Sequence, residues 1–248
     1  MKASIRHLQP FALIFLILVL WQILSISGFI PAFMLPSPVK VALAFFRDFS
    51  LLIFHLKTTL IEAAAGIAVS IIISLVVAVV MDRFTFIHRS VYPLLIISQT
   101  IPTIALAPLL ILWFGYGISS KVILIVISCF FPITISLLTG FASVDKDAIR
   151  LLQTLGAGKN QIMWYAKLPS ALPDFFSGLK ISVSYSIIGA VISEWLGGTR
   201  GLGVYMTRVK KSYAYDKLFA VIFLISALSL VLIKILSIIE KRICKYEK

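Results

Sequence analysis

The sequence predicts an all-α integral membrane bundle, and three observations carry that expectation. Only 13% of the 248 residues are charged while 60% are hydrophobic, against about 25% charged in an ordinary soluble domain. Too little polar surface remains to coat a globule in water, so lipid must solvate much of the chain. The apolar residues also gather into runs of about 20, the length a helix needs to cross the hydrocarbon. Finally, the net charge of +13 comes from Lys and Arg in small groups beside those runs, not from one broad patch. That pattern fits flanks facing lipid headgroups and argues against a nucleic-acid surface.

The segments that qualify as spans are 11–30, 58–80, 90–114, 122–141, 178–198 and 218–239. The first opens like a secretory signal, but its apolar core is too long and no small-x-small site follows, so it reads as a retained span. Next comes LPSPVKVALAFFRDFSLLIFHLK. Ser37 can cap a helix there, Pro38 suits its first position, and the segment is expected to lie at the outer interface. In the second span Gly66, Ser70, Ser74 and Ala78 recur every fourth residue, a face for close helix packing. Glu62 falls near that span's end and is expected to snorkel or cap.

The third span holds Pro93, Pro102 and Pro108 and must bend. Broken helices are tolerated where they line a cavity, so Pro102 and Pro108 are candidates for the wall of a path. The fourth contains Cys129, which with Cys244 is expected to stay out of any disulfide. In the fifth, Gly178, Ser182, Ser186 and Ala190 form a second small-residue stripe that ends in Glu194. An ionisable group inside a span is a functional candidate by default, so Ser182, Ser186 and Glu194 join the path candidates. Glu194 either gates the path, holds the Gly-rich stretch behind it, or pairs with Arg200 or another cation. The segment that follows, GGTRGLGVYMTRVKKSYAYDK, is unusually basic for an outside loop. With both termini cytoplasmic, the inside segments, which include Lys2, Arg6, Lys245 and Lys248, hold the larger share of Lys and Arg. No internal repeat divides the chain. It reads as one membrane domain, 1–248, with its core at about 58–240.

One loop stands out. Within 142–177, Asp145 can cap a helix whose Ala148, Leu151, Leu152 and Leu155 form one apolar stripe. Gly156 and Gly158 permit a sharp turn. A second short helix, 159–166, then carries Ile162, Met163, Trp164 and Tyr165, and Pro169 and Pro173 are expected to end it. Two helices in an L outside the lipid, bearing apolar and aromatic side chains, want a partner.

This segment resembles the EAA loop of ABC-importer inner-membrane permeases. Gly156 takes the pattern's Gly place, Leu168-Pro169 follows at the required spacing, and Ala166 stands at the Ile place. Arg150-Leu151-Leu152 replaces Glu-Ala-Ala, which reverses the charge at the first position. LPSP at 35–38, TIPTIALAPLLILWFG at 100–115, LPSALPDFFSGLKIS at 168–182 and SEWLGGTRGLG at 193–203 are similar to the branch that handles sulfonates, taurine and nitrate. The resemblance covers nearly the whole chain. It implies a six-span type I importer bundle in a bacterial inner membrane, paired as a permease homodimer, whose cytoplasmic loop is a coupling helix docked on an ATP-binding subunit. Arg150, Leu151, Leu152, Gly156, Lys159, Gln161, Ile162, Met163, Trp164, Tyr165, Leu168 and Pro169 become the coupling residues. Arg200, Arg208, Lys210 and Lys211 become contacts for an extracytoplasmic solute-binding protein. The cargo implied is a small sulfonate-, taurine- or nitrate-like anion, with a pyrimidine precursor of thiamine as the alternative.

Competing classes leave marks that are missing. Glu62-Ala63-Ala64 spells the motif literally but has no Leu-Pro at the right distance. GAGKN at 156–160 lacks the first Gly and final Ser or Thr of a phosphate-cradling loop. ATP and its Mg are therefore expected on the partner subunit, with no cofactor or metal in this chain, which is a non-catalytic subunit. An ion-coupled carrier would need internal repeats and a buried ionisable pair at mid-membrane. A membrane enzyme would need clustered His, Asp or Cys, and His7, His55 and His88 are scattered.

Overall fold

A computed structural model describes residues 2–31 and 33–244, with side chains from residue 12 onward. Lys245 and Lys248, and the side chains of Lys2 and Arg6, lie outside the described residues. Those described are helical or in short connections, with no strand. The order is α1 (Lys2–Ile26), α2 (Pro38–Arg47), α3 (Phe49–Arg83), α4 (Thr85–Ser98), α5 (Thr103–Phe114), α6 (Ile118–Ala142), α7 (Lys146–Thr154), α8 (Lys159–Ile162), a π turn (Met163–Lys167), α9 (Leu168–Ser170), α10 (Leu172–Gly197), α11 (Leu202–Lys211) and α12 (Tyr215–Ile243).

Four of these, α3, α6, α10 and α12, are long and apolar enough to cross a membrane. The consecutive pair α4 and α5 passes the same test as one span broken by a bend of 100°. The apolar stretch described in α1 is shorter, Ala12–Ile26. The break in the third span lies at 99–102, with Pro102 capping α5, whereas Pro93 and Pro108 sit inside their helices. A proline at a helix start sacrifices no hydrogen bond, so the chain turns there.

The core is built from α3, α6 and α10. Both small-residue stripes face it. Gly66, Ser70, Ser74 and Ala78 are buried, and a Cβ on Gly66 would run into Ile125. Ser74 donates to the Phe130 carbonyl across the interface at 3.1 Å. On α10, Gly178, Ser182, Ser186 and Ala190 are buried against α6. Small side chains let these backbones approach, which is what holds helices together when lipid supplies no hydrophobic drive.

The second span is longer than expected. At about 1.5 Å per residue, 35 residues of α3 reach about 50 Å, well beyond a hydrocarbon thickness of about 30 Å. Only Pro38–Arg47, capped by Ser37, forms the separate short helix. Residues 49–57 belong to α3 itself. Glu62 is consequently more than three turns inside a helix instead of near its end, and it is buried.

The bundle has two differently built ends. At one, α2, α11 and the start of α12 converge on α3: Tyr205 Oη donates to Asp48 at 2.5 Å and Lys217 Nζ reaches the same carboxylate oxygen at 2.8 Å. At the other, Lys180 near the start of α10 pairs with Glu240 near the end of α12 at 2.5 Å. The 142–177 segment lies at this second end. Trp21 of α1 stacks on Phe223 of α12 and lies tilted against Phe219.

Candidate functional site

The elbow forms as its sequence dictates. Asp145 accepts the Asp147 N–H at 2.9 Å and starts α7. Leu155 closes α7, and Gly156 turns the chain at φ +84°. The Gly156 N–H donates to the Gln153 carbonyl at 3.0 Å and the Ala157 N–H to Leu152 at 2.9 Å. This reciprocal pair is the Schellman arrangement, which needs a residue free to adopt positive φ. Gln161 accepts the Gly158 N–H at 2.7 Å and starts the second arm.

The second arm does not stop at Pro169. The chain widens into a π turn at Met163–Lys167 and continues helically through Leu168–Ser170 into α10. A wider turn just before a proline gives its ring room against the preceding carbonyls. Lys167 then anchors the arm, donating to both oxygens of Asp82 at the end of α3, at 2.6 and 2.8 Å.

This anchoring divides the expected coupling residues in two. Leu151, Leu155, Trp164 and Tyr165 are 61%, 75%, 67% and 78% exposed. Arg150, Gly156, Lys159, Gln161 and Pro169 are exposed as well, and Leu152 and Leu168 are half-buried. Among the described residues Arg150 pairs only with Asp147, on its own helix. Ile162 and Met163, expected as partner contacts, are instead buried in the chain's own fold, because the second arm lays that face on the bundle; Met163 joins the main core. A cavity of about 490 Å³ opens between this arm and the end of α3, with Asp82, Arg83, Gln153, Lys159, Trp164 and Lys167 in its wall.

At the opposite end a cavity of about 380 Å³ lies between the end of α10 and α11, with Glu194, Thr207 and Arg208 in its wall. Glu194 is 1% exposed. Its carboxylate accepts from Thr59 Oγ1 at 2.7 Å and from the Gly203 N–H at 2.6 Å. Thr59 in turn accepts the Leu202 N–H at 2.9 Å, and His55 Nδ1 accepts the Gly201 N–H at 3.1 Å. Glu194 thus holds the Gly-rich stretch, turning α11 back beside α10. Gly201 has φ +120°, and a Cβ there would collide with the Glu194 carboxyl. Arg200 does not pair with Glu194 but lies over the Phe54 ring, 5.2 Å from its centre. Beside the lock, Lys121 and Glu62 form a buried ion pair at 2.5 Å. Arg208, Lys210 and Lys211 are exposed on α11, and Arg208 donates to the Thr199 carbonyl at 3.1 Å.

The path candidates fare unevenly. Ser182 and Ser186 are fully buried between α6 and α10. Ser182 Oγ donates to the Cys129 carbonyl at 3.0 Å, and Ser186 Oγ donates to Val183 at 2.8 Å. In this structure they pack between helices and line none of the described cavities. Pro108 is exposed away from any described cavity, whereas Pro102 lines one of about 290 Å³ at the α4–α5 bend. Ser98, Gln99, Thr103, Ser128 and Tyr185 supply its polar surface.

Residues 70–245 match the family described as "Binding-protein-dependent transport system inner membrane component". The chain belongs to this family. It is 38% identical over 231 residues to the formylaminopyrimidine transport permease ThiX of Halalkalibacterium halodurans, covering 93% of this chain and 92% of that one. It is 32% identical to the riboflavin transport system permease RibX of Chloroflexus aurantiacus (94% and 87%) and 30% identical to the taurine transport system permease TauC of Escherichia coli (76% and 69%). Among solved structures, an amino acid ABC transporter superposes with a TM-score of 0.64 at 19% identity, covering 81% of this chain and 97% of that one. The fold is that of a type I ABC importer permease, a multi-pass membrane protein and the non-catalytic subunit of its transporter.

Several residues that shape this permease went unnoticed in the sequence. His55, Thr59 and Glu62 continue the spacing of the Gly66–Ala78 stripe toward the helix start, a signal that α3 runs through them. Lys121 stands beside an apolar run like the other flanking cations, and nothing local marks it for burial. Asp82–Lys167 carries no local pattern, since its members are 85 residues apart.

Proposed function

We propose that this permease forms the membrane path of an ATP-driven importer and that the 145–167 elbow receives its ATP-binding subunit. The observation that carries this reading is the elbow itself. Its Leu151, Leu155, Trp164 and Tyr165 stand exposed beyond the spanning helices, while Lys167 ties its base to Asp82. Large apolar side chains held out on a fixed frame fit a partner's cleft. The ATPase binds and hydrolyses the nucleotide, and its closure moves the elbow against the bundle. The assembly pairs two permease copies with two ATPase subunits. The elbow end, where α12 also finishes, faces the cytoplasm. The opposite end, with Arg200, Arg208, Lys210 and Lys211, meets an acidic surface of a solute-binding protein.

Exchanging Trp164 and Tyr165 for Asp tests the elbow. The purified ATPase subunit should bind the variant at least tenfold more weakly, and unchanged binding would reject the assignment. A cysteine at position 164 should react with a membrane-impermeant thiol reagent only after cells are opened; labelling of intact cells would reverse the orientation.

For cargo, similarity to a formylaminopyrimidine permease over almost the whole chain supports a small heteroaromatic solute. Similarity to the taurine permease supports the second reading, a small sulfonate-like anion. ATP-dependent uptake of each by vesicles holding the complete importer separates them.

A further inference from the structure

The cavity at the α4–α5 bend lies halfway along the neighbouring helices. Ser128 falls near the middle of α6 and Tyr185 near the middle of α10. It is therefore at the depth where a solute crossing the membrane is furthest from bulk water. Its wall offers the Gln99 amide, the Tyr185 ring and hydroxyl, and the hydroxyls of Ser98, Thr103 and Ser128. None of the residues lining it is charged.

The backbone there is balanced as well. α4 ends at the cavity and α5 begins at it, so the negative end of one helix dipole and the positive end of another meet at one place. The α4 end is partly self-satisfied, with Ser98 Oγ donating to Leu95 at 2.7 Å and the Gln99 N–H donating to Ile96 at 3.2 Å. The first N–H groups of α5 follow Pro102, which brings donors to the same mouth.

A sulfonate or nitrate stripped of water at this depth would need a fixed cation, and burying an unpaired charge is expensive. A flat, uncharged ring with both donors and acceptors needs what the wall provides: an amide, hydroxyls and an aromatic face. From this we infer that the cavity at the bend is a cargo-contacting site that passes an uncharged, hydrogen-bonding heteroaromatic and disfavours small inorganic and sulfonate anions. Gln99 reads the ring's donor–acceptor edge, and Tyr185 stacks on its face. The inference rests on the importer reading and narrows its cargo.

The test uses vesicles holding the permease with its ATPase and binding protein, and three radiolabelled probes: an N-formylaminopyrimidine, taurine and nitrate. ATP-dependent uptake of the pyrimidine is expected, with taurine and nitrate at least tenfold lower. Gln99→Ala and Tyr185→Ala should each cut pyrimidine uptake at least tenfold per assembled complex, and Tyr185→Phe should keep most of it. A cysteine in place of Ser128 should react with a small water-soluble thiol reagent, and the pyrimidine should slow that reaction. Preferred uptake of taurine or nitrate overturns the cargo class but leaves the importer standing. Pyrimidine uptake within twofold of wild type in both alanine variants, or a Ser128→Cys thiol that the pyrimidine does not protect, overturns the site. Absence of ATP-dependent uptake for all three probes overturns the cargo class, whereas the importer reading falls only if the elbow variants also leave ATPase binding unchanged.

Discussion

The two ends of the bundle spend their side chains in opposite ways. At the hairpin end, where α11 folds back beside α10, polar groups are drawn inward and paired: Glu194 with Thr59 and Gly203, His55 with Gly201, and Glu62 with Lys121. At the elbow end, Leu155, Trp164 and Tyr165 are left largely exposed. A buried polar group must find its partner within the fold, because neither lipid nor packed protein supplies one. An exposed apolar group carries no such obligation and leaves room for another molecule. The hairpin end is built for permanence and the elbow end for docking.

The contrast is tested most severely at Lys121. Lys121→Ala leaves Glu62 buried beside Glu194 with no counter-ion, which costs about 3–5 kcal/mol. Thermal unfolding of the detergent-solubilised permease should move down sharply, with little assembled protein recovered. Adding Glu62→Gln should restore much of the loss. If the single variant melts like wild type, the hairpin end is not the rigid one.

Lys167→Ala is expected to act less on stability and more on transmission. The Asp82–Lys167 pair is partly solvated, so its loss should cost about 1 kcal/mol. The exposed elbow residues would remain, so the ATPase subunit should still bind while cargo-stimulated ATP hydrolysis falls. Unchanged stimulation would show that the arm needs no tie to α3.

A smaller effect, conditional on pH, belongs to Asp48. Burial pushes its carboxyl up, but hydrogen bonds from Lys217 and Tyr205, with the charges of Lys217 and Arg47, more than offset this and hold it below its ordinary value of 3.8. A lowered carboxylate stabilises the fold above its unfolded value and loses that contribution as pH falls through the lowered one. Asp48→Asn should therefore cost up to about 1 kcal/mol at neutral pH. The gap to wild type should hold down to about pH 4 and close only in stronger acid. A gap that is already closed at pH 6 would contradict the assignment.

Much of this architecture was legible because membrane helices announce themselves. The long apolar runs marked α3, α6, α10 and α12, the every-fourth-residue stripes marked their packed faces, and Asp145, Gly156 and Gly158 marked the elbow. The errors have physical causes. The start of α3 was hidden because 49–57 is apolar enough for either an interfacial helix or a continuing span, and only the His55–Thr59–Glu62 spacing argued for the latter. Ser182 and Ser186 are path candidates by sequence and packed residues in this structure, because a serine in a span can line a cavity or close a helix interface and local sequence does not say which. Ile162 and Met163 passed for docking residues because four consecutive apolar positions do not reveal which face a short helix lays down. The cavity was missed because Gln99, Ser128 and Tyr185 come from three elements, and only folding brings them together.

Leu155→Asp should have the least effect on the chain alone and separates the two ends most cleanly. Leu155 is 75% exposed, beside the Gly156 turn. The substitution removes no contact that the fold needs, so stability should stay within about 0.5 kcal/mol of wild type. The same charge placed in an apolar interface must be desolvated without a counter-ion, so binding of the ATPase subunit should fall at least tenfold. Loss of binding with an unchanged melting curve is the signature of a docking surface. A variant that instead loses stability would mean that Leu155 packs within its own chain, and the elbow would then resemble the hairpin end.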